Sequence, residues 1–504
     1  MIKQYSVLLL LFTITACANA TTPKIGCSDG QPPIRVVSAD GSYFTGQEIC
    51  AGDLPDPATL NPIDASYDSP LMQPIPAGVD YSFYKTSDFV DLKIPVDFDF
   101  VDERRLRYLM EQGEYRLYAK QWANNGPKNK DRYKIFGCKD ILQHFVMAND
   151  DARVERWAPD NSVLHIITKG NHKAMTECIQ DVPLLMHFDY EYVINDMADI
   201  ILHHATYRNV REDYLISDIN HMQYQKYQLM ARTAEFYAYF KDLMPLTPPE
   251  HDVIKAYFDE VFMGNPFHTQ QKRAQCDVKN PERNSTSQNK FGVNGQTGIG
   301  PNGCGTYATN MVNAALLYSL ATNNQTIFEQ AKKNVTYLLG TFDDEGIQTM
   351  QASRGQLAWG YHSNFTIQLS YMSEIFYSIG YKFLEHKMPR SGITVKQVMF
   401  KHWEGIDDHN VFEKYAKNNR GIYQKWTPEF RKIPTSKATA REMPWMHIAL
   451  SSPRFINEHV TVMSIWGTEF NMPETIAKKQ GGANNWYQQW VPNEYLYYMN
   501  KNRL

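Results

Sequence analysis

Apolar residues recur along most of this chain at the three-and-four spacing of amphipathic helices. The pattern predicts helices over Asp140–Ala148, Tyr190–Tyr207 and Asp218–Met244. Thr247-Pro-Pro-Glu250 marks another start, with Thr as N-cap, Pro in the first turn and Glu folding back, and opens a helix to Phe262. Tyr307–Ala321 and Thr326–Leu339 read as a helical hairpin. Further helices are predicted over His362–His386, Val395–Trp403, Asn410–Lys417 and Val460–Phe470.

Two stretches break this pattern. Residues 21–95 are rich in Pro, Gly, Asp and Ser and read as an irregular extension, with loops and short strands, that wraps a larger domain. Residues 264–304 are rich in Gly, Asn, Ser, Thr and Gln, and a loop of that length in a compact region points to function or disorder. Antiparallel helices joined by short or glycine-rich links predict a mainly α fold over residues 96–504, a helical toroid or superhelix without a repeat of fixed period.

Residues 1–20 form an export signal: Lys3, an apolar run from Val7 to Ile14, then small residues. Ala18-Asn-Ala20 offers a cleavage site, whereas Ile14-Thr-Ala-Cys17 resembles a bacterial lipobox that would leave a lipid on Cys17 and anchor the chain to an outer membrane. The expected location is therefore periplasmic, cell-surface or secreted. Setting Cys17 aside leaves six of the seven cysteines, an even number suited to an oxidising compartment. Proximity suggests Cys27 with Cys50, Cys138 with Cys178 and Cys276 with Cys304, one of fifteen possible connectivities. With no C-x-x-C pair, these cysteines do not read as a metal site.

A net charge of -4 and a pI near 6.4 leave no basic excess, which disfavours nucleic acid and requires any polyanionic ligand to meet a local basic pocket. The 31 Tyr and 9 Trp fit either a large core or the ring platforms of a carbohydrate cleft.

Arg354-Gly-Gln-Leu-Ala-Trp-Gly-Tyr361-His362 carries the most specific chemistry. On a continuous helix, seven residues span about two turns, so Arg354 and Tyr361 would share a face roughly 10 Å apart. An arginine partners a carboxylate through a planar fork, and a tyrosine beside that charge ionises more easily. The same pair also suits a surface cation and a core-edge aromatic. Gly360, directly before Tyr361, suggests a backbone that bends to admit a ligand.

Arg354-Gly, Ala358, Tyr361-His362 and Phe365, followed by an apolar helix with Glu374 and Gly380-Tyr381, resemble the alginate lyases of (α/α) toroid fold. Asn302-Gly-Cys-Gly-Thr-Tyr307 resembles a second signature of that family. The likeness covers residues 290–385. It implies β-elimination from a uronate, without metal or cofactor: the neutralised carboxylate acidifies the C5 proton, a base removes it, and the bond from C4 to the bridging oxygen breaks. Carried over, Tyr361 would be base and acid on mannuronate, Arg354 would assist the carboxylate or the tyrosine, and Asn302 would donate to the carboxylate. Tyr307 and Gln351 would touch substrate, Gln351 standing where the family commonly has Glu. The family's second Asn and its His are replaced by Gly303 and Cys304. His362, His268 and His187 are the candidates to stand in for that histidine.

The expected activity is thus polysaccharide lyase action on an anionic polysaccharide, mannuronate-rich alginate first and glucuronan as the nearest competitor. A glycan-binding surface lipoprotein without catalysis is the other class. A glycoside hydrolase would need two separated carboxyl groups, yet Asp343, Asp344 and Glu345 crowd one turn.

Overall fold

The computed structural model describes residues 34–35, 48–49, 82–112, 190–207, 220–263, 306–352, 358–407 and 410–417. These are mainly helical. A two-residue antiparallel pair, β1 (Ile34–Arg35) with β2 (Glu48–Ile49), puts Ile34 opposite Ile49. The helices are α1 (Glu103–Gln112), α2 (Tyr190–Tyr207), α3 (Asn220–Phe240), α4 (Pro248–Met263), α5 (Thr306–Ala321), α6 (Gln325–Leu339), α7 (Thr349–Ala352), α8 (Ala358–Ser378), α9 (Val395–Asp407) and α10 (Asn410–Lys417). Among the described residues no helix is long and apolar enough to cross a membrane. The helices expected at Asp140–Ala148 and Val460–Phe470, the export signal, the 264–304 loop and all seven cysteines lie outside the described residues.

Helix α5 is the centre of the fold. It carries no charged residue, and everything from Thr309 to Leu320 is buried, as expected of a helix surrounded on all sides. It packs against α3, α6 and α8. The α5–α6 turn closes with Asn323 at φ 50° and Asn324 as N-cap, whose Oδ1 accepts from the Ile327 N–H at 3.1 Å. Tyr318 Oη donates to Asp259 Oδ1 at 2.9 Å and ties α5 to α4.

Helix α4 starts as expected, with Glu250 Oε2 accepting from the Thr247 N–H at 2.8 Å. Only half of the reciprocal cap forms: the buried Thr247 hydroxyl makes no hydrogen bond. Pro248 and Pro249 bring no N–H to the first turn, so the Glu250 N–H is the first backbone donor of the helix.

Helix α8 corrects the expected boundaries. It begins at Ala358, with Gly360 inside it, and stops at Ser378, short of His386. Gly380 adopts φ 80°, and the N–H groups of Gly380 and Tyr381 return to the carbonyls of Tyr377 and Phe376 at 2.9 and 3.0 Å. This double bond pattern with glycine in the left-handed region ends the helix.

The segment from Ser82 to Val101 packs against the helices as a strap. Phe89 is fully buried among Phe376, Tyr381, Phe383 and His386, with its ring 4.4 Å from the His386 ring. Lys332 of α6 is also fully buried; its Nζ donates to the strap carbonyls of Phe89 and Leu92, each at 2.6 Å, and pairs with Glu329 at 2.8 Å. Glu329 also accepts from Tyr84 Oη at 2.6 Å, and these partners hold its carboxyl below its ordinary value against the effect of burial. This end of the extension is therefore part of the core.

Candidate functional site

Ring contacts set the directions of the central helices. Phe328, early in α6, lies 6.4 Å from Phe376, late in α8; Phe342, just after α6, lies 5.2 Å from Phe365, early in α8. Helices α6 and α8 are thus antiparallel, and because α6 also turns back on α5, helices α5 and α8 run parallel. Asn313 Nδ2 donates to Gln368 Oε1 at 2.8 Å and to its carbonyl at 3.2 Å, which fixes their relative level. Tyr307 lies six residues before Asn313 and Tyr361 seven before Gln368. At 1.5 Å per residue both positions fall about 9–10 Å up from that bond, at one end of the fold. The helix starts bearing the two sequence signatures are therefore neighbours, and both present the positive end of a helix dipole there.

The turn after Phe342 packs under this end. Asp343 Oδ1 accepts from the N–H groups of Glu345 and Ile347 at 3.0 and 2.9 Å, and its Oδ2 accepts from Tyr415 Oη of α10. Burial raises the Asp343 carboxyl, opposed by these three donors. Gly346 holds φ 79°, and a Cβ there would sit 2.5 Å from Ile393 Cδ1. With its lone pairs committed, Asp343 serves the turn, and the acidic triplet does not form the facing carboxyl pair of a hydrolase.

Gln348 joins this turn to α7 and α8. Its side-chain oxygen accepts from the Gln351 N–H at 2.8 Å, capping the one-turn helix α7, and its Nε2 donates to Thr341 Oγ1 at 3.2 Å. Its own N–H donates to His362 Nε2 at 3.2 Å. His362 Nδ1 in turn meets His402 Nδ1 of α9 at 3.1 Å, with the ring planes 13° apart. Phe342 and Phe412 pack edge-on against the His362 ring. Both imidazoles are fully buried; burial pushes His362 down to about 3, and burial together with His362 pushes His402 well below its ordinary value.

His362, one of the three candidates to stand in for the missing histidine, exposes no surface, and its two ring nitrogens face Gln348 and His402. Gln351 is 3% exposed and belongs to the same buried corner. Tyr361 and Tyr307 are placed by their helices. Arg354, Asn302, His268 and His187 lie outside the described residues.

Several polar residues here carried no sequence signal. His402 and Gln348 form the chain just described, and Asn310 sits 1% exposed on α5 with neither amide atom hydrogen-bonded to protein. Deeper between α3 and α8, Arg232 pairs with Glu235 at 3.1 Å and Tyr239 Oη meets Tyr371 Oη at 3.2 Å, all buried. Burial raises both phenols, so they stay neutral. Many of the abundant tyrosines are thus core residues. Among the described residues no group of three or more His, Cys, Asp or Glu is arranged to hold a metal ion. No protein-family model matches the chain, and no curated protein matches its sequence.

Proposed function

We propose that this chain is a polysaccharide lyase that cleaves a polyuronate, mannuronate-rich alginate above all, by β-elimination on an (α/α) toroid or incomplete helical barrel. The supporting observation is the shared level of the α5 and α8 starts, set by the Asn313–Gln368 bond, which puts the backbone positions of Tyr307 and Tyr361, the last residues of the two signatures, at one end of the described helices. Two parallel helix starts favour an anionic group at that end.

In this reading the Asn302 amide binds the uronate carboxylate and withdraws charge, which acidifies the C5 proton. Tyr361, its ionisation eased by Arg354, takes that proton. The electron pair forms the C4=C5 double bond as the C4–O bond breaks, and the same tyrosine returns the proton to the leaving oxygen. On mannuronate both transfers occur on one face of the ring, so a single residue serves. Tyr307 lines the approach, with His268 and His187 as further sugar contacts, while Gln351 stays in the buried corner behind it. Export through residues 1–20, with Cys17 as a lipid anchor, would put the enzyme where such polymers are met.

Polymannuronate, polyguluronate and glucuronan are each incubated with the protein while ultraviolet absorbance from the conjugated double bond is followed. Absorbance should rise on polymannuronate, and Tyr361→Phe should lower turnover by roughly 10²–10⁴-fold. A rise on glucuronan alone would move the assignment to that polymer. Binding without any absorbance would leave a glycan-binding protein, and an active Tyr361→Phe would remove the tyrosine from its role.

A further inference from the structure

Two elements that matter to the proposed lyase site share one buried hydrogen-bond chain. A backbone N–H can only donate, so the contact from Gln348 makes His362 Nε2 an acceptor. A neutral imidazole with an accepting Nε2 carries its proton on Nδ1, and that proton points at His402 Nδ1. His402 must then accept at Nδ1 and carry its own proton on Nε2. The ring planes are nearly parallel, 13° apart, and the two Nδ1 atoms lie 3.1 Å from each other, within hydrogen-bond distance. Four elements meet in this chain: α9 through His402, the first turn of α8 through His362, the 341–348 turn through Gln348, and α7 through the Gln351 N–H.

The location gives the chain a consequence. His362 directly follows Tyr361, and Gln351 lies three residues before Arg354. In sequence, Tyr361 adjoins one end of this chain and the segment leading to Arg354 adjoins the other, and the chain is anchored in α9, forty residues after His362.

We propose that His402 is a positioning residue: by accepting at Nδ1 it fixes the tautomer of His362, and through His362 and Gln348 it holds the Tyr361 turn and the segment leading to Arg354 in one relative arrangement. The catalytic part rests on the lyase reading; the tautomer part does not. A shift of about 1 Å between two catalytic groups can cost 10²-fold in rate. Loss of the His402 acceptor frees the His362 proton to move to Nε2, which breaks the contact with Gln348.

Two substitutions separate this role from general packing. His402→Asn puts an amide oxygen near the position of Nδ1, whereas His402→Gln puts one near Nε2. Both are polar and of similar bulk. His402→Asn should keep kcat close to native, while His402→Gln should lower kcat by roughly 10²-fold with KM little changed. Nitrogen-15 spectra of histidine-labelled protein at pH 7 should show the His362 proton on Nδ1 in the native chain and in His402→Asn, and not in His402→Gln.

Equal kinetic losses in the two variants would overturn the positioning role, as would a native His362 proton on Nε2. If the native chain gives no absorbance on any polyuronate but carries the Nδ1 proton, the lyase reading fails and the tautomer chain stands. Absorbance from a native chain with the proton on Nε2 gives the opposite result. His402→Gln that retains native kcat would likewise remove His402 from any part in the reaction.

Discussion

The buried histidines make the fold sensitive to mild acid, and the size of the effect follows from their positions. The perturbation is a drop from pH 7 to pH 5. His362 is pushed from 6.5 to about 3, and His386, stacked on Phe89, to about 4, both by burial, with Asp88 opposing the shift at His386. At pH 5 each ring stays neutral in the folded chain and takes a proton in the unfolded one. The stability they contribute is complete above about 6.5 and is lost as pH falls toward the folded values. At 1.36 kcal/mol per unit, the 1.5 units between 6.5 and 5 amount to about 2 kcal/mol for each ring, or about 4 kcal/mol together. His402 acts in the same direction. Carboxyl groups, with ordinary values near 4, titrate mostly below this window; Asp343, raised by burial, has the opposite sign there. A loss of about 4 kcal/mol is large beside the 5–15 kcal/mol typical of folded proteins. Urea unfolding at pH 7 and pH 5 measures the difference for the native chain and for His386→Gln. The variant's stability at pH 7 can move either way, but its loss between the two pH values should be about 2 kcal/mol smaller than the native loss. Because the chain has fifteen histidines, this difference between proteins isolates the one ring. Identical pH losses in both would refute the reasoning, as would spectra showing His386 protonated in the folded chain at pH 5.

Two other substitutions probe the core beneath the site. Lys332→Met removes the ammonium that satisfies the Phe89 and Leu92 carbonyls and should weaken strap docking by about 2 kcal/mol or more, read as faster limited proteolysis between residues 82 and 101; unchanged cleavage would show that the apolar contacts of Phe89 suffice. Asn310→Leu replaces a buried amide that has no hydrogen bond to protein and should raise stability by about 1–3 kcal/mol in urea unfolding; a lower midpoint would show that bound water satisfies that amide.

What the sequence reveals of this fold divides along physical lines. Tyr190–Tyr207 is bounded as its apolar spacing predicts, and Glu250 folds back on Thr247, because spacing and capping are local properties. The end of α8 was legible too: Gly380 stands after the last regular turn, but apolar residues beyond it, Phe383 and Leu384, continue the pattern into a short 3-10 turn and mask the stop. Lys332 misleads for a different reason. A lysine on a helix ordinarily faces water, and only a strap more than 200 residues away supplies the carbonyls that allow its burial. The His362–His402 pair has the same origin. Tyr361-His362 draws attention to a histidine at the surface beside a reacting sugar, whereas the partner that fixes its proton comes from α9. Helix contacts thus change the chemical meaning of His362: a residue that looks like a proton carrier when read beside its neighbour becomes, once α9 is packed against it, a neutral ring whose proton has one place to go.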